Sequence, residues 1–488
     1  MEINKKKYYQ LVIPILILTI NLVIKYLYID NRDIAGDEPF SIYWGQMSMK
    51  SIIDMLYNEN NPPLHFFILH FIIKLFGVSA LSVRIPSLIF SSLTAVIIYK
   101  IGSKYFTQII GIGASLIFSF STMHIFFSHE ARVYPLFSLL TACLLYVYLG
   151  IIKNPSNRSN FYALFVLNVL LIYSHYFGIF VLFMEVFSLL ILTERKQLLK
   201  PLALVMAAVV ISYIPILFIF MHRLGVTTGN GTWVTTPGLG EIYGNLNRFL
   251  NTKYNMLVLI ILLLAATISL TTQNKLKHQL TELLKNIYFK TIFIWFIVPY
   301  LTMFLVSFKV PMFVDRYILY TSIPFFLIIA VVLHYFFVKT KFIVIALSIF
   351  LISQTITMQI NPDNNRRLKD VARIVSILKK EQTITFLAPD HAFMGFCYYY
   401  NLEYFMQAPN TINLLNTDRI FPINKKETAL EIISKNTNHD KRPSCIYLQA
   451  GTEFIDPENG ILKTIESQYK IHKVVHVFEI YDIHYFYN

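Results

Sequence analysis

Apolar blocks of roughly 20 residues alternate with short polar stretches through residues 9–360, and a helix needs about 20 apolar residues to cross the hydrocarbon core. The blocks are continuous and lack the period-two alternation of a membrane β-barrel strand. They predict membrane helices over 9–28, 85–103, 108–127, 133–151, 161–174, 178–193, 201–220, 255–271, 290–308, 317–337 and 342–360, with a polar loop over 29–61. The block 62–76 is too short to match them: at 1.5 Å per residue it reaches only about 23 Å. It also contains His65, His70 and Lys74. It reads as an interfacial or re-entrant helix, opened by Pro62-Pro63 and closed by Gly77.

Charge placement supports this choice. With 62–76 left out of the span count, Lys5-Lys6-Lys7, Lys100, Lys104, Lys153, Arg158, Arg195, Lys196, Lys200, Lys275, Lys277, Lys285, Lys290, Lys339 and Lys341 fall on one side. That side is the cytoplasm by the positive-inside rule. Counting 62–76 as a span moves every group after it outside. The expectation is an all-α polytopic protein of about eleven transmembrane helices, its first span uncleaved because no small-residue processing site follows it. Composition agrees: 55% hydrophobic residues, 15% aromatic and a mean hydropathy of +0.54. The formal charge of +14 follows from topology and points to no nucleic acid.

Residues 361–488 change character, with fifteen basic and fifteen acidic residues. Helical spacing at Val371, Ile374, Val375 and Leu378 precedes a strand-like run over 383–387. The alternation repeats at 429–434 and 445–449, and two β-rich runs follow at 474–480 and 484–487. The chain therefore divides into a membrane domain over 1–360 and a small extracytoplasmic α/β domain over 361–488. Cys143, Cys397 and Cys445 give neither a disulfide framework nor metal-site spacing. Cys397 and Cys445 could form one bridge or stay free.

The candidate chemistry lies where polar clusters abut apolar runs. Gly36-Asp37-Glu38-Pro39, Asn60-Asn61-Pro62-Pro63-Leu64-His65, Ser128-His129-Glu130-Ala131-Arg132-Val133-Tyr134, Ser174-His175-Tyr176 and Asp315-Arg316-Tyr317 all fall on the outer side of the predicted topology. A carboxylate at a membrane edge can act as a general base, hold a divalent metal, or stabilise a cationic transition state. Glycosyl transfer uses the first and third roles. If the sugar arrives on a lipid phosphate, the departing phosphate needs Arg, Lys or His donors at the same depth. The chain offers Asp37, Glu38 and Glu130 as acids, with His65, His129, Arg132, Arg316 and either Lys74 or Arg84 as phosphate partners. Each position has a plainer reading. His65 and His70 could face headgroups, and His129 could sit in a structural network with Glu130 and Arg132. Tyr134, four residues after Glu130, could hold that carboxylate on one helix face, although Pro135 interrupts a helix there. His175, Tyr176 and Tyr317 could belong to an interfacial aromatic belt. Trp233 could stack on a sugar or join the same belt. Glu185, the acid near the middle of a span, could carry protons or sit neutral inside the bundle.

The order of these motifs resembles family 39 glycosyltransferases, a group that includes the protein O-mannosyltransferases and the lipid A aminoarabinose transferases. The resemblance rests on Asp37-Glu38 in the first loop, Pro62-Pro63-Leu64 opening a short helix, Arg84-x-Pro86-Ser87 and His129-Glu130-Ala131-Arg132-x-Tyr134. Asp315-Arg316-Tyr317 and the tail motif Tyr398-Tyr399-Tyr400-Asn401 extend it. It implies a GT-C fold with an external active site and a polyprenyl-phosphate sugar donor. It also implies that Asp37 or Glu38 is the base and Glu130 a second acid. The aminoarabinose transferases have Glu-Lys before their Pro-Pro, the lysine being assigned to the lipid phosphate, and the protein mannosyltransferases have His there. This chain has Asn60-Asn61, so neither donor sugar nor acceptor carries over. The acceptor (lipid, glycan or protein) and any divalent metal stay open. A proton-coupled transporter using Glu185 is the rival class, and a lipid-linked glycan ligase or polymerase of another family is a third. Broken midplane helices in a matched pair would favour transport, and the sequence shows none.

Overall fold

The computed structural model describes residues 2–192, 197–230, 234–361, 366–437, 442–453 and 455–488. Trp233, Arg195 and Lys196 lie outside the described residues. Contacts group the chain into two compact units: Met1–Ile29, Ile53–His65 and Arg84–Pro362 form the first, and Asp30–Ile52, Phe66–Val83 and Asp363–Asn488 the second.

The first unit is helical. Among the described residues, seven helices are long and apolar enough to cross a membrane, or eight if the bent pair Gln108–Ser119 and Thr122–Ser128 is one span. Glu2–Tyr26, Arg158–Ser174 and Gly178–Ile191 are the helices at the other three predicted span positions. Close backbone approach is built in where the Ala80–Tyr105 helix turns into Gln108–Ser119: a Cβ on Gly102 would lie 2.4 Å from the Gly111 Cα, so only small residues permit this crossing.

The bent pair breaks by 61° at 120–121, which would leave backbone groups unmet in an apolar surround. Side chains meet groups freed at the break, Gln354 donating to the Ile117 carbonyl at 3.0 Å. Asn251, in the left-handed region at φ 71, accepts from the Thr122 N–H at 2.7 Å and donates to the carbonyls of Phe120 (2.9 Å) and Gln354 (3.1 Å). Asparagine tolerates that conformation better than most residues. Nearby, the buried Lys25 donates to Asn21 Oδ1 at 2.7 Å and lies 4.7 Å from the Phe118 ring, and Asn21 donates to Ser119 Oγ at 2.7 Å.

The second unit is built on a sheet of β1 (Ile384–Ala388), β2 (Ile420–Pro422), β3 (Cys445–Ala450), β4 (Ile471–Phe478) and β5 (Tyr481–Tyr487). The order is β2-β1-β3-β5-β4; β1 runs parallel to β2 and β3, and β5 antiparallel to β3 and β4. Ile384, Phe386, Cys445, Tyr447 and Phe486 share a core with Ala429, Ile433, Ile461 and Ile465 of the helices Lys426–Lys435 and Gly460–Glu466. Cys397 and Cys445 are buried and free. The helices expected at 368–380 and 429–434 are Leu368–Leu378 and Lys426–Lys435; β2, only three residues long, had no visible signal.

This unit also takes in Asp30–Ile52 of the first loop. The helix Glu38–Gly45 lies against the helix Ala392–Tyr400 at Gly395, where a Cβ would stand 3.2 Å from Pro39 Cγ and 2.6 Å from Leu368 Cδ2. Tyr43 donates its hydroxyl to the Ala408 carbonyl, and Gln46 donates to the Phe405 carbonyl at 3.2 Å. The tail motif supplies the seam: the Tyr399 hydroxyl accepts from the Ile34 N–H at 2.6 Å, and the Tyr398 hydroxyl donates to the Val78 carbonyl at 3.1 Å. Tyr400 donates to Asp418 at 3.1 Å, and Asn401 Oδ1 caps the next helix by accepting from the Tyr404 N–H at 3.2 Å.

Candidate active site

The predicted acids of the first loop lie in the second unit. Gly36, at φ +64, turns the chain beneath the Arg366 guanidinium, 3.0 Å from where its Cβ would be; a side chain there would be strained. Asp37 then precedes the helix Glu38–Gly45, whose second residue is Pro39, fitting a first turn where N–H groups lack helical partners. Glu38 is buried and Asp37 exposed. Asp33 receives the Lys369 N–H at 2.9 Å, which ties the loop to the start of the Leu368–Leu378 helix. Lys74, on the helix Leu64–Phe76, is exposed, and His70 bonds through Nδ1 to the Gly45 carbonyl at 3.1 Å.

The remaining candidates lie in the first unit, and helix junctions bring most of them together. The ring centroids of Tyr134, His175 and Tyr317 lie 5.9–6.3 Å from one another. Phe137 and Phe177 close on His175 at 5.2 and 4.8 Å. The Arg132 guanidinium stands 5.7 Å from the Tyr134 ring, and that of Arg316 5.5 Å from the Tyr317 ring. His175 is buried between these groups. Its Nδ1 accepts the Phe177 N–H at 3.1 Å. Burial, and then the positive charge of Arg132 and Arg316, push its pKa down to about 3. The imidazole is therefore neutral at ordinary pH, and both guanidinium charges converge on one aromatic-lined spot.

His65 and His129 commit their Nε2 atoms to backbone carbonyls. His65 donates to Ala131 at 3.1 Å and His129 to Lys25 at 2.8 Å, and both residues are buried. Arg84, fully buried, donates to the Ile29 carbonyl at 2.7 Å. Glu130 is half-buried in the non-helical turn between Thr122–Ser128 and Tyr134–Lys153. The expected helix face joining Glu130 to Tyr134 is not formed. The helix begins at Tyr134 with Pro135 in its first turn, and a proline ring there would clash with the carbonyl four residues earlier if the helix continued back to Ala131.

Arg223 carries no sequence motif and was missed. It donates through Nε to Asn60 Oδ1 at 3.0 Å, and Thr227 reaches the same oxygen at 3.4 Å. A cation thus stands beside Asn60-Asn61, delivered from the distant helix Leu199–Asn230. Its charge offsets part of the burial that lifts the Tyr176 phenol to about 12. Glu185 is fully buried in the bundle. Its Oε2 accepts from Asn168 at 2.9 Å, while Oε1 has no partner among the described residues. Among the described residues no group of three or more His, Cys, Asp or Glu side chains could hold a metal ion.

Residues 60–219 match the family model of dolichyl-phosphate-mannose-protein mannosyltransferases. No curated protein matches the chain at a significant level. Among solved structures, ArnT from Cupriavidus metallidurans bound to undecaprenyl phosphate superposes with a TM-score of 0.59 at 11% identity, covering 96% of this chain and 97% of that one. Its apo state gives the same values. The archaeal oligosaccharyltransferase AglB from Archaeoglobus fulgidus, in complex with an inhibitory peptide and a dolichol-phosphate, gives a TM-score of 0.52 at 10% identity, covering 96% of this chain and 73% of that one. The chain accordingly is a multi-span membrane protein that shares the fold of ArnT, and its residues 60–219 are similar to the family model of the dolichyl-phosphate-mannose-protein mannosyltransferases.

Proposed function

We propose that the protein transfers a sugar from a polyprenyl-phosphate carrier to a hydroxyl of an extracytoplasmic acceptor. The observation that carries this reading is the convergence of Arg132 and Arg316 on His175 among Tyr134, Tyr317 and Phe177. Guanidinium groups suit a phosphate, and aromatic faces suit a sugar ring. The match over 60–219 and the undecaprenyl phosphate bound by ArnT support it.

In the reaction, Asp37 or Glu38 takes the proton from the acceptor hydroxyl as its oxygen bonds to the anomeric carbon. The bond from that carbon to the phosphate oxygen breaks, and the electron pair leaves with the phosphate, where Arg132 and Arg316 stabilise the added charge. Glu130 is the second acid. His129, its Nε2 committed to the Lys25 carbonyl, holds the turn instead of the donor; Tyr176 completes the donor side in this reading, and Arg223 adds a third cation beside Asn60. Sugar nucleotides are cytoplasmic, so a site on the outer face calls for a lipid-linked donor. The C-terminal unit and the first loop then face outward from the cell (inner) membrane.

Mass spectrometry of surface glycans and lipid-linked sugars in a deletion strain tests the activity. Loss of one surface sugar with build-up of a polyprenyl-phosphate sugar is expected; unchanged profiles would overturn it. Chelation with EDTA in a membrane transfer assay decides whether a divalent ion takes part. A cysteine placed near Asn488 should react with an impermeant reagent in intact cells, and its protection would reverse the topology.

A further inference from the structure

The turn that carries Glu130 and Arg132 joins two helices without being helical itself, yet it is almost wholly buried. Buried carbonyls in such a turn need donors from elsewhere. Locally, the His129 N–H bonds to the Phe126 carbonyl at 3.0 Å and the Arg132 N–H to the Glu130 carbonyl at 2.8 Å. The carbonyls that flank the arginine are met from two other helices. His65, on Leu64–Phe76, donates Nε2–H to the Ala131 carbonyl at 3.1 Å, and Ser87, on Ala80–Tyr105, donates to the Arg132 carbonyl at 3.3 Å. His129 fastens the start of the turn to the Lys25 carbonyl at 2.8 Å.

We propose that His65 is a positioning residue, which acts on a lipid phosphate through Arg132 by fixing the Ala131 carbonyl. The inference rests on the reading of Arg132 as a phosphate contact. Three features support it. The Nε2 proton of His65 is already committed to a carbonyl and cannot serve a phosphate oxygen at the same time. The ring is buried, 4% exposed. Burial, with a smaller push from the Arg132 charge, lowers its pKa to about 4, so the imidazole stands as a neutral donor beside a cation. A guanidinium on a long side chain binds an anion well only if its root is held to within about 0.5 Å, and here the backbone on both sides of the arginine is pinned.

The test uses the full-length protein in lipid nanodiscs and undecaprenyl phosphate as the probe. Arg132→Ala should weaken binding roughly ten- to a hundred-fold. His65→Leu, which keeps bulk and removes the donor, should weaken it about ten-fold, while His65→Gln, which places an N–H at a similar reach, should stay within about three-fold of the parent. In the Arg132→Ala background, His65→Leu should add less than about two-fold. Folded His65→Gln protein as weak as His65→Leu, or additive losses in the double variant, would overturn the inference while leaving the phosphate reading intact. Normal binding by Arg132→Ala would overturn both. If His65→Leu does not accumulate, Ser87→Ala removes the neighbouring donor with little change of volume. Its loss must likewise vanish in the Arg132→Ala background, or the inference fails.

Discussion

Two turns present the candidate acids, and they are held by different physics. The Gly36-Asp37-Glu38-Pro39 turn is seated by packing: Pro39 fits against Gly395, the Ile34 N–H before the turn donates to the Tyr399 hydroxyl, and Tyr43 after it donates to the Ala408 carbonyl. The His129–Val133 turn is seated by side chains that reach its backbone, from His65 and Ser87. In an α/β unit, a loop can be fixed by shape because a dense core is available. Inside a helical bundle meant for lipid, each buried carbonyl must find a donor or cost about 1–3 kcal/mol. The first turn leaves Asp37 exposed; the second keeps Arg132 nearly buried, where its charge acts through less water.

The largest effect should come from the first turn. Asp37→Asn keeps the shape and removes the proposed base, so transfer in isolated membranes should drop about 100- to 10,000-fold, with Glu38→Gln milder and Glu130→Gln also impaired. The reverse order would make Glu38 the base, and full activity in an Asp37→Asn, Glu38→Gln double variant would end this mechanism. The second turn should answer differently. Arg132→Ala and Arg316→Ala should lower apparent donor affinity roughly ten- to a hundred-fold, whereas Lys339→Ala should not; equal losses for all three would point to damaged folding.

Structural substitutions sharpen the contrast. Gly395→Val drives methyl groups into Leu368 and Pro39, an overpacking that costs about 1–3 kcal/mol. It should lower transfer while leaving undecaprenyl phosphate affinity unchanged, measured on the same nanodisc preparation. Loss of both would show that packing in the second unit also governs the Arg132 turn. The smallest effect is a pH response confined to the tail. His484 is buried beside His472, 2.9 Å away, and both burial and that neighbour lower its pKa. The unfolded chain takes up a proton near pH 6.5 that the folded chain resists. Hydrogen-exchange protection of β5 should therefore fall as pH drops below about 6.5 and be level above it, and His484→Leu should flatten the response.

By itself the sequence determined where the apolar helices lie, because hydrophobic length is a local property read directly against bilayer thickness. It also determined the tail's alternation of helix and strand, since periodicity is local too, and the residue types of the site. Tertiary structure decided what those residues do. Nothing local in Asn251 says that it repairs a break near residue 120, and nothing near Asn60 says that Arg223 stands beside it. His65 reads as a phosphate ligand until the Ala131 carbonyl is found at its Nε2, and Tyr399 reads as a family mark until Ile34 is found at its hydroxyl. A hydrogen bond is a short-range, directional contact between groups whose separation along the chain carries no signal. Only the folded chain could show which donor meets which acceptor.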